Sequence, residues 1–181
     1  MTTKSHGQLT ARIANQLQLK FKAYNIYHDH GGAEGGAGRI TSYFGKKERA
    51  YLLSFIDIAI VERDSNRLVA LIEIEETEDK PKTLLGDAFC ALMGEGVKYH
   101  DTDLTVGAWT SLIVVGVSKL LHATRAEYIF EHLEAARAGL GTGNARVGHV
   151  VIAGVPTQSK LAAHVRLLAA EAIKRSGLQK R

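Results

Sequence analysis

The sequence predicts an α/β (α+β) fold, a mixed central sheet flanked by helices, and three observations carry that expectation. The first is a pair of β-branched and aliphatic runs, YLLSFIDIAIVE at 51–62 and RLVALIEIEE at 67–76, separated by Asp64, Ser65 and Asn66. The second is the helical spacing of apolar residues before and after that pair. The third is TSLIVVGVS at 110–118, a near-continuous apolar run of the kind a strand shows when both of its faces are covered.

Each element follows in order. From Gln8 to Tyr24, the residues Leu9, Ile13, Leu17 and Phe21 recur every fourth position and mark one face of a first helix. HDHGGAEGGAG follows, and its five glycines between 31 and 38 carry too much backbone entropy for a regular element, so it reads as a loop. Arg39 to Phe44 alternates enough for a short strand bordering the next. Runs 51–62 and 67–76 form a hairpin, with Asn66 suited to positive φ in the turn. Pro81 fits the first turn of a helix with Asp79 as its cap, and Leu84, Leu85, Ala88, Leu92 and Met93 form its apolar stripe. A strand at 110–118, a helix from Ala123 to Ala138, a strand at 147–153 and a helix from Ser159 to Arg175 complete the order. No repeat or low-complexity stretch interrupts it, so 1–181 reads as one domain.

Composition is that of an ordinary globular chain, with 45% apolar and 23% charged residues. There is no signal-peptide pattern and no apolar run of transmembrane length, and one cysteine, Cys90, excludes an internal disulfide. A cytoplasmic protein without a membrane partner is expected. The net charge of +4 suits a polyanion. Basic residues gather at Lys20 and Lys22, at Lys46, Lys47 and Arg49, and at Lys174, Arg175, Lys180 and Arg181, whereas acids concentrate between Glu73 and Asp79.

The hairpin carries the chemistry. With the turn at 64–66, Asp57 lies opposite Glu73, and directly opposed residues share a face with Cβ atoms about 4.5–5.5 Å apart. The period of two puts Glu75 on that face one step along. Their neighbours Phe55, Ala59, Val61, Val69 and Leu71 are apolar, so the acids interrupt a hydrophobic hairpin. Opposed like charges destabilise a sheet, and a desolvated carboxylate costs several kcal/mol unless something offsets it. A divalent cation such as Mg²⁺ (or Mn²⁺) would offset it, with water and phosphate filling the remaining positions. A wetter hairpin end leading into a solvated acidic loop is the plainer alternative.

SFIDIAIVERDSNRLVALIEIEE, at 54–76, resembles the hairpin of the PD-(D/E)XK nuclease superfamily, and the resemblance covers about residues 6–118. It implies a restriction-endonuclease-like core of helix, antiparallel hairpin, helix and further strand. It further implies a metal-dependent endonuclease acting on DNA, with Asp57, Glu73 and Glu75 as metal ligands. The sequence departs from the pattern at Ile56, where proline is usual, and at Glu75, where the acidic-x-Lys triplet carries lysine. A minority of restriction endonucleases share this Glu-x-Glu form, so the resemblance leans towards a restriction-type enzyme. Either Glu75 orients the attacking water, or Lys80 or Lys82 reaches back from the next helix, Lys82 being also a candidate for stabilising charge on phosphorus. The first helix carries no acid, which leaves Glu34 as a substitute for the acid the family often places there. Duplex cutting needs two active sites, hence a homodimer. A catalytically silent DNA-binding or assembly module with the same fold is the alternative, motivated by the absent lysine.

Other signals yield less. His28, Asp29 and His30 can be read as metal ligands, since His-x-His on a strand places both imidazoles on one face, but two ligands do not close a metal site. GLGTGNARVG at 139–148 imitates a dinucleotide fingerprint but follows a helix and precedes a strand, the reverse of what phosphate binding needs. GVPTQSK at 154–160 reads as a turn with a Thr157 or Ser159 cap. Cys90, beside Phe89, reads as a core residue, and Tyr99, His100 and Trp109 border a loop.

Overall fold

The apolar stripe of the first helix decides where the chain starts to pack. In the computed structural model, which describes residues 7–29, 38–44, 49–76, 81–117, 147–178 and, singly, Tyr128, Glu131, His132 and Ala135, helix α1 spans Gly7–Lys20. It buries Leu9, Ile13, Ala14 and Leu17. Each large side chain removed from water contributes roughly 1.5–3 kcal/mol. The helix stops short of Tyr24 because Gln18 competes for the backbone beyond it. The Gln18 amide donates to the Tyr24 carbonyl at 2.9 Å and accepts from Ile26 N–H at 3.0 Å. That clamp starts strand β1, Tyr24–His28, which periodicity had merged with the helix and its loop.

Strands β2 (Ile40–Tyr43) and β3 (Leu52–Ile56) follow, the second preceded by a short 3₁₀ turn at Arg49–Tyr51. β4 (Ile58–Glu62) and β5 (Leu68–Glu75) form the expected hairpin, with Asn66 in the turn at φ 51°. Helix α2 runs Pro81–Met93, then β6 (Gly96–Tyr99), β7 (Thr102–Leu104), β8 (Thr110–Val117), β9 (Val147–Val155) and α3 (Gln158–Leu178). Of the helix expected at 123–138, Tyr128, Glu131, His132 and Ala135 are helical and the rest lies outside the described residues.

The fold is α+β. A five-stranded mixed sheet has the order β1-β4-β5-β8-β9, antiparallel through β1, β4 and β5 and parallel from β5 through β9. A four-stranded antiparallel sheet has the order β3-β2-β6-β7. Side-chain alternation sorts the core onto the two faces of the larger sheet. Ile58, Ile60, Ile72, Ile74, Ile113 and Val115 pack with α1 and α3. Ala59, Val61, Leu71, Leu112 and Val114 pack with Leu84, Ala88 and Ala91 of α2 and with Ile40, Ile56 and Val97 of the smaller sheet.

The expected strand 51–62 is thus two strands in different sheets, broken at Asp57. The hydrogen bonding explains how the break is tolerated: where β4 stops supplying backbone acceptors to β5, the Asp57 carboxylate accepts from Ile74 N–H at 2.8 Å. β4 and β5 pair Ile58 with Ile72, Ala59 with Leu71 and Ile60 with Ala70, which is the register expected at the acidic end. It shifts by one residue at Ile60/Val61, nearer the turn. Of the run at 139–148, Val147 and Gly148 begin β9 and the rest lies outside the described residues. Gly148 is the extra residue where β9 bulges against β8, and a Cβ there would meet the Ala108 carbonyl.

Candidate functional site

Three acids form one row across three strands. Extending the β4–β5 register by one pair sets Asp57 opposite Glu73. On the other side, the Asp29 N–H donates to the Asp57 carbonyl at 2.9 Å, continuing the β1–β4 ladder, so Asp29 lies opposite Asp57. All three stand on the face that carries Ala59 and Leu71, the face covered by α2 and the smaller sheet. Asp87 enters that face from α2, where it interrupts the buried stripe of Leu84, Ala88 and Ala91.

Glu73 is the most constrained of these groups. Its residue is 5% exposed, yet only Oε2 has a partner, the Asp57 N–H at 3.3 Å. Oε1 is buried and makes no hydrogen bond among the described residues. Burial pushes the Glu73 carboxyl well above the usual carboxylate range, and the nearby charges of Asp57, Asp87 and Asp29 push the same way. The Asp57 N–H opposes them by stabilising the anion. Asp87 is also raised, by burial and then by Glu75. The Cys90 thiol is raised by burial, then by Asp87 and Glu73; Cys90 is half-buried on α2 beside the exposed Phe89 and stands outside the core clusters, not within the core as the sequence suggests.

The anticipated residues separate accordingly. Asp57 and Glu73 are brought together: the Glu73 carboxylate accepts from Asp57 N–H, and the Asp57 carboxylate accepts from Ile74 N–H, the residue after Glu73. Glu75 ends β5 one step along the same face, and its charge bears on Asp87. Lys82 lies in the first turn of α2, its side chain outside the described residues, as are Lys80, His30 and Glu34. His28 ends β1 opposite Ile58, on the face of α1 and α3, away from the acids. Tyr99 stacks on Tyr27 at 3.9 Å, the exposed His100 lies edge-on to Tyr99, and Arg67 covers Trp109 while bridging Glu62 at 2.9 Å.

Asp87 is the acid that sequence reasoning passed over, and Asp29 was weighed only with His28 and His30, not with Asp57 and Glu73. Asp87 had a legible signal, a charge three residues after Leu84 and one before Ala88 in an apolar stripe. Asp29 had almost none, because β1 was hidden between the first helix and the glycine-rich run.

The donors fit a hard divalent cation in kind. Carboxylate oxygens are its preferred ligands, and a buried, unpartnered Oε1 beside a second carboxylate is the electrostatic deficit a cation relieves. Among the described residues, no three His, Cys, Asp or Glu side chains stand close enough to close around one ion. The fit is therefore to a two-carboxylate site completed by water and substrate oxygens, the usual manner of Mg²⁺. Comparison with family models, with curated proteins and with solved structures finds no match to this chain.

Proposed function

We propose that this protein is a Mg²⁺- or Mn²⁺-dependent endonuclease of the restriction type that hydrolyses DNA phosphodiester bonds. The observation that carries the reading is Glu73, a buried carboxylate with one oxygen unpartnered, set beside Asp57 at a strand break in a mixed sheet. The helix, antiparallel strands, helix and parallel strand around it follow the order the PD-(D/E)XK resemblance implies.

In this reading Asp57 and Glu73 hold the cation, which when bound polarises a phosphate oxygen and acidifies water. The chain supplies the rest. Asp57 is fixed by Ile74 N–H and Glu73 by Asp57 N–H, so neither carboxylate must reorganise when substrate arrives. Glu75, whose charge bears on Asp87, accepts the one proton the attacking water gives up; Lys82 is a secondary candidate to meet charge on phosphorus. The enzyme works as a homodimer in the cytoplasm, each protomer cutting one strand.

Supercoiled plasmid incubated with Mg²⁺ or Mn²⁺ tests this: nicking or linearisation is expected with metal and none with chelator. Asp57→Asn and Glu73→Gln are expected to abolish cleavage while DNA affinity stays equal or rises, because each removes a negative charge facing phosphate. A second reading, a catalytically silent DNA-binding or assembly module, is favoured by Glu75 in place of lysine and by the lack, among the described residues, of a third ligand beside Asp57 and Glu73. Failure of the wild type to cut duplex, branched or single-stranded DNA in either metal, with DNA binding retained, would select it.

A further inference from the structure

The smaller sheet presents one face to α2 and the core through Ile40, Ile56 and Val97, and turns the other outward. Pairing places Thr41 opposite both Phe55 and Lys98, so Phe55, Thr41 and Lys98 form one outward row across three strands. Phe55 is 44% exposed, and the Arg39 guanidinium lies 4.8 Å from its ring centroid. Of the seven large hydrophobic residues exposed among the described ones, three, Phe44, Tyr51 and Phe55, belong to the β2–β3 segment. That segment, 38–56, contains Arg39, Lys46, Lys47 and Arg49 against the single acid Glu48. Lys98 faces Asp103 across β6–β7, which leaves Arg39 as the principal cation of the row.

We propose that the outward face of β2 and β3, with Phe55 and Arg39 at its centre, is a platform on which an unpaired nucleotide of a DNA strand stacks while its phosphate meets Arg39. An exposed aromatic ring with a cation beside it is the pair on which a base stacks while its phosphate finds charge complementarity. Position adds to this. Phe55 is two residues before Asp57, so their Cα atoms lie within about 7 Å, and a nucleotide neighbouring a phosphate held at Asp57 reaches the ring. Stacking tolerates any base, so the platform binds without sequence preference. It rests on the nuclease reading for the nature of its ligand, and explains why an acidic centre could hold a polyanion at all.

The test uses the full chain in chelator with a fluorescein-labelled oligodeoxythymidine, read by anisotropy, alongside plasmid cleavage in Mg²⁺. Phe55→Leu is expected to weaken oligonucleotide binding roughly 5- to 100-fold, the loss of one stacked base, and Phe55→Trp to retain it. Arg39→Gln is expected to lower the log–log salt slope by about 0.7, the release of one counterion from a single strand. Binding by Phe55→Leu within twofold of wild type overturns the platform even if the wild type cleaves plasmid. Conversely, weakened binding by Phe55→Leu in a protein that cleaves nothing supports the platform and removes the nuclease reading. A wild type that neither binds nor cleaves overturns both. Should Phe55→Leu lose its fold by melting, the exposed Arg39→Gln decides alone, an unchanged salt slope being the overturning result.

Discussion

Glu73 and Asp57 differ in what the fold asks of them, and the difference is measurable. Glu73 has its carboxyl raised by burial and by three neighbouring acids, so the native protein binds that proton more tightly than the unfolded chain does. Its contribution to stability is therefore fully present below the ordinary carboxylate range and is lost as pH rises through the elevated native value. In chelator, Glu73→Gln is expected to melt above the wild type at neutral pH, the gap closing as pH falls towards that range. A gap independent of pH would show that repulsion at Glu73 is not the cause. Glutamine keeps an oxygen for Asp57 N–H and turns its amide towards the carboxylates.

Asp57 combines a charge that repels Glu73 with an oxygen that accepts from Ile74 N–H. Asp57→Asn removes the charge and keeps an acceptor, so the apo-protein is expected to be as stable as wild type or more so. Asp57→Ala removes both and is expected to cost about 1–3 kcal/mol, the penalty of an amide left without its partner. Thermal melts of the two variants separate the effects. Mg²⁺ should stabilise the wild type, by about 2.7 kcal/mol at one hundred times its dissociation constant, seen as a higher melting temperature, and should do so less for Asp57→Asn. A wild type indifferent to metal together with a destabilised Asp57→Asn would remove the metal site.

Among the elements, the hairpin and the β8–β9 pair show how single backbone positions hold the sheet in register. Asn66 sits at φ 51°, where a Cβ costs roughly 1–2 kcal/mol in any residue unable to bond its own backbone. Asn66→Gly is thus expected to be near neutral and Asn66→Val to lose stability, read by denaturant midpoints. Gly148 is tighter. Its added Cβ would meet the backbone carbonyl of Ala108, which cannot rotate away as a side chain would. Gly148→Ala is expected to cost about 1–3 kcal/mol, and an unchanged midpoint would show that the bulge can be redrawn.

For the whole molecule, the two sheets and the helices α1, α2 and α3 of the described residues divide labour. α1 and α3 cover one face of the larger sheet with apolar side chains, while α2 and the smaller sheet cover the other and enclose the acids. No helix of the described residues is long and apolar enough to cross a membrane. Under the proposed nuclease reading, one chain brings one Asp57–Glu73 pair, so cleavage of both strands of a duplex would call for two protomers. Light scattering at micromolar concentration, with and without DNA, is expected to report a dimer, and a monomer in both states would leave the protein a nicking enzyme at most.

The sequence by itself determined the elements whose signals are local. The apolar run 110–118, the hairpin flanking Asn66, the stripe of α1 and the proline at the head of α2 were legible because periodicity and turn chemistry are written in neighbouring residues. The opposition of Asp57 and Glu73 was legible too, since two strands joined by a short turn have few registers that keep the apolar face buried. Only the tertiary structure decided what depends on distant partners. The run 51–62 breaks at Asp57 because its first half finds β2 and its second half finds β1 and β5, a choice no local pattern records. Strands β1, β6 and β7 are too short to outweigh their polar neighbours until the sheets receive them. Asp29 and Asp87 join Glu73 for the same reason: burial and Coulomb repulsion act through space, and the residues that raise its carboxyl come from a preceding strand and a following helix as well as from its own hairpin.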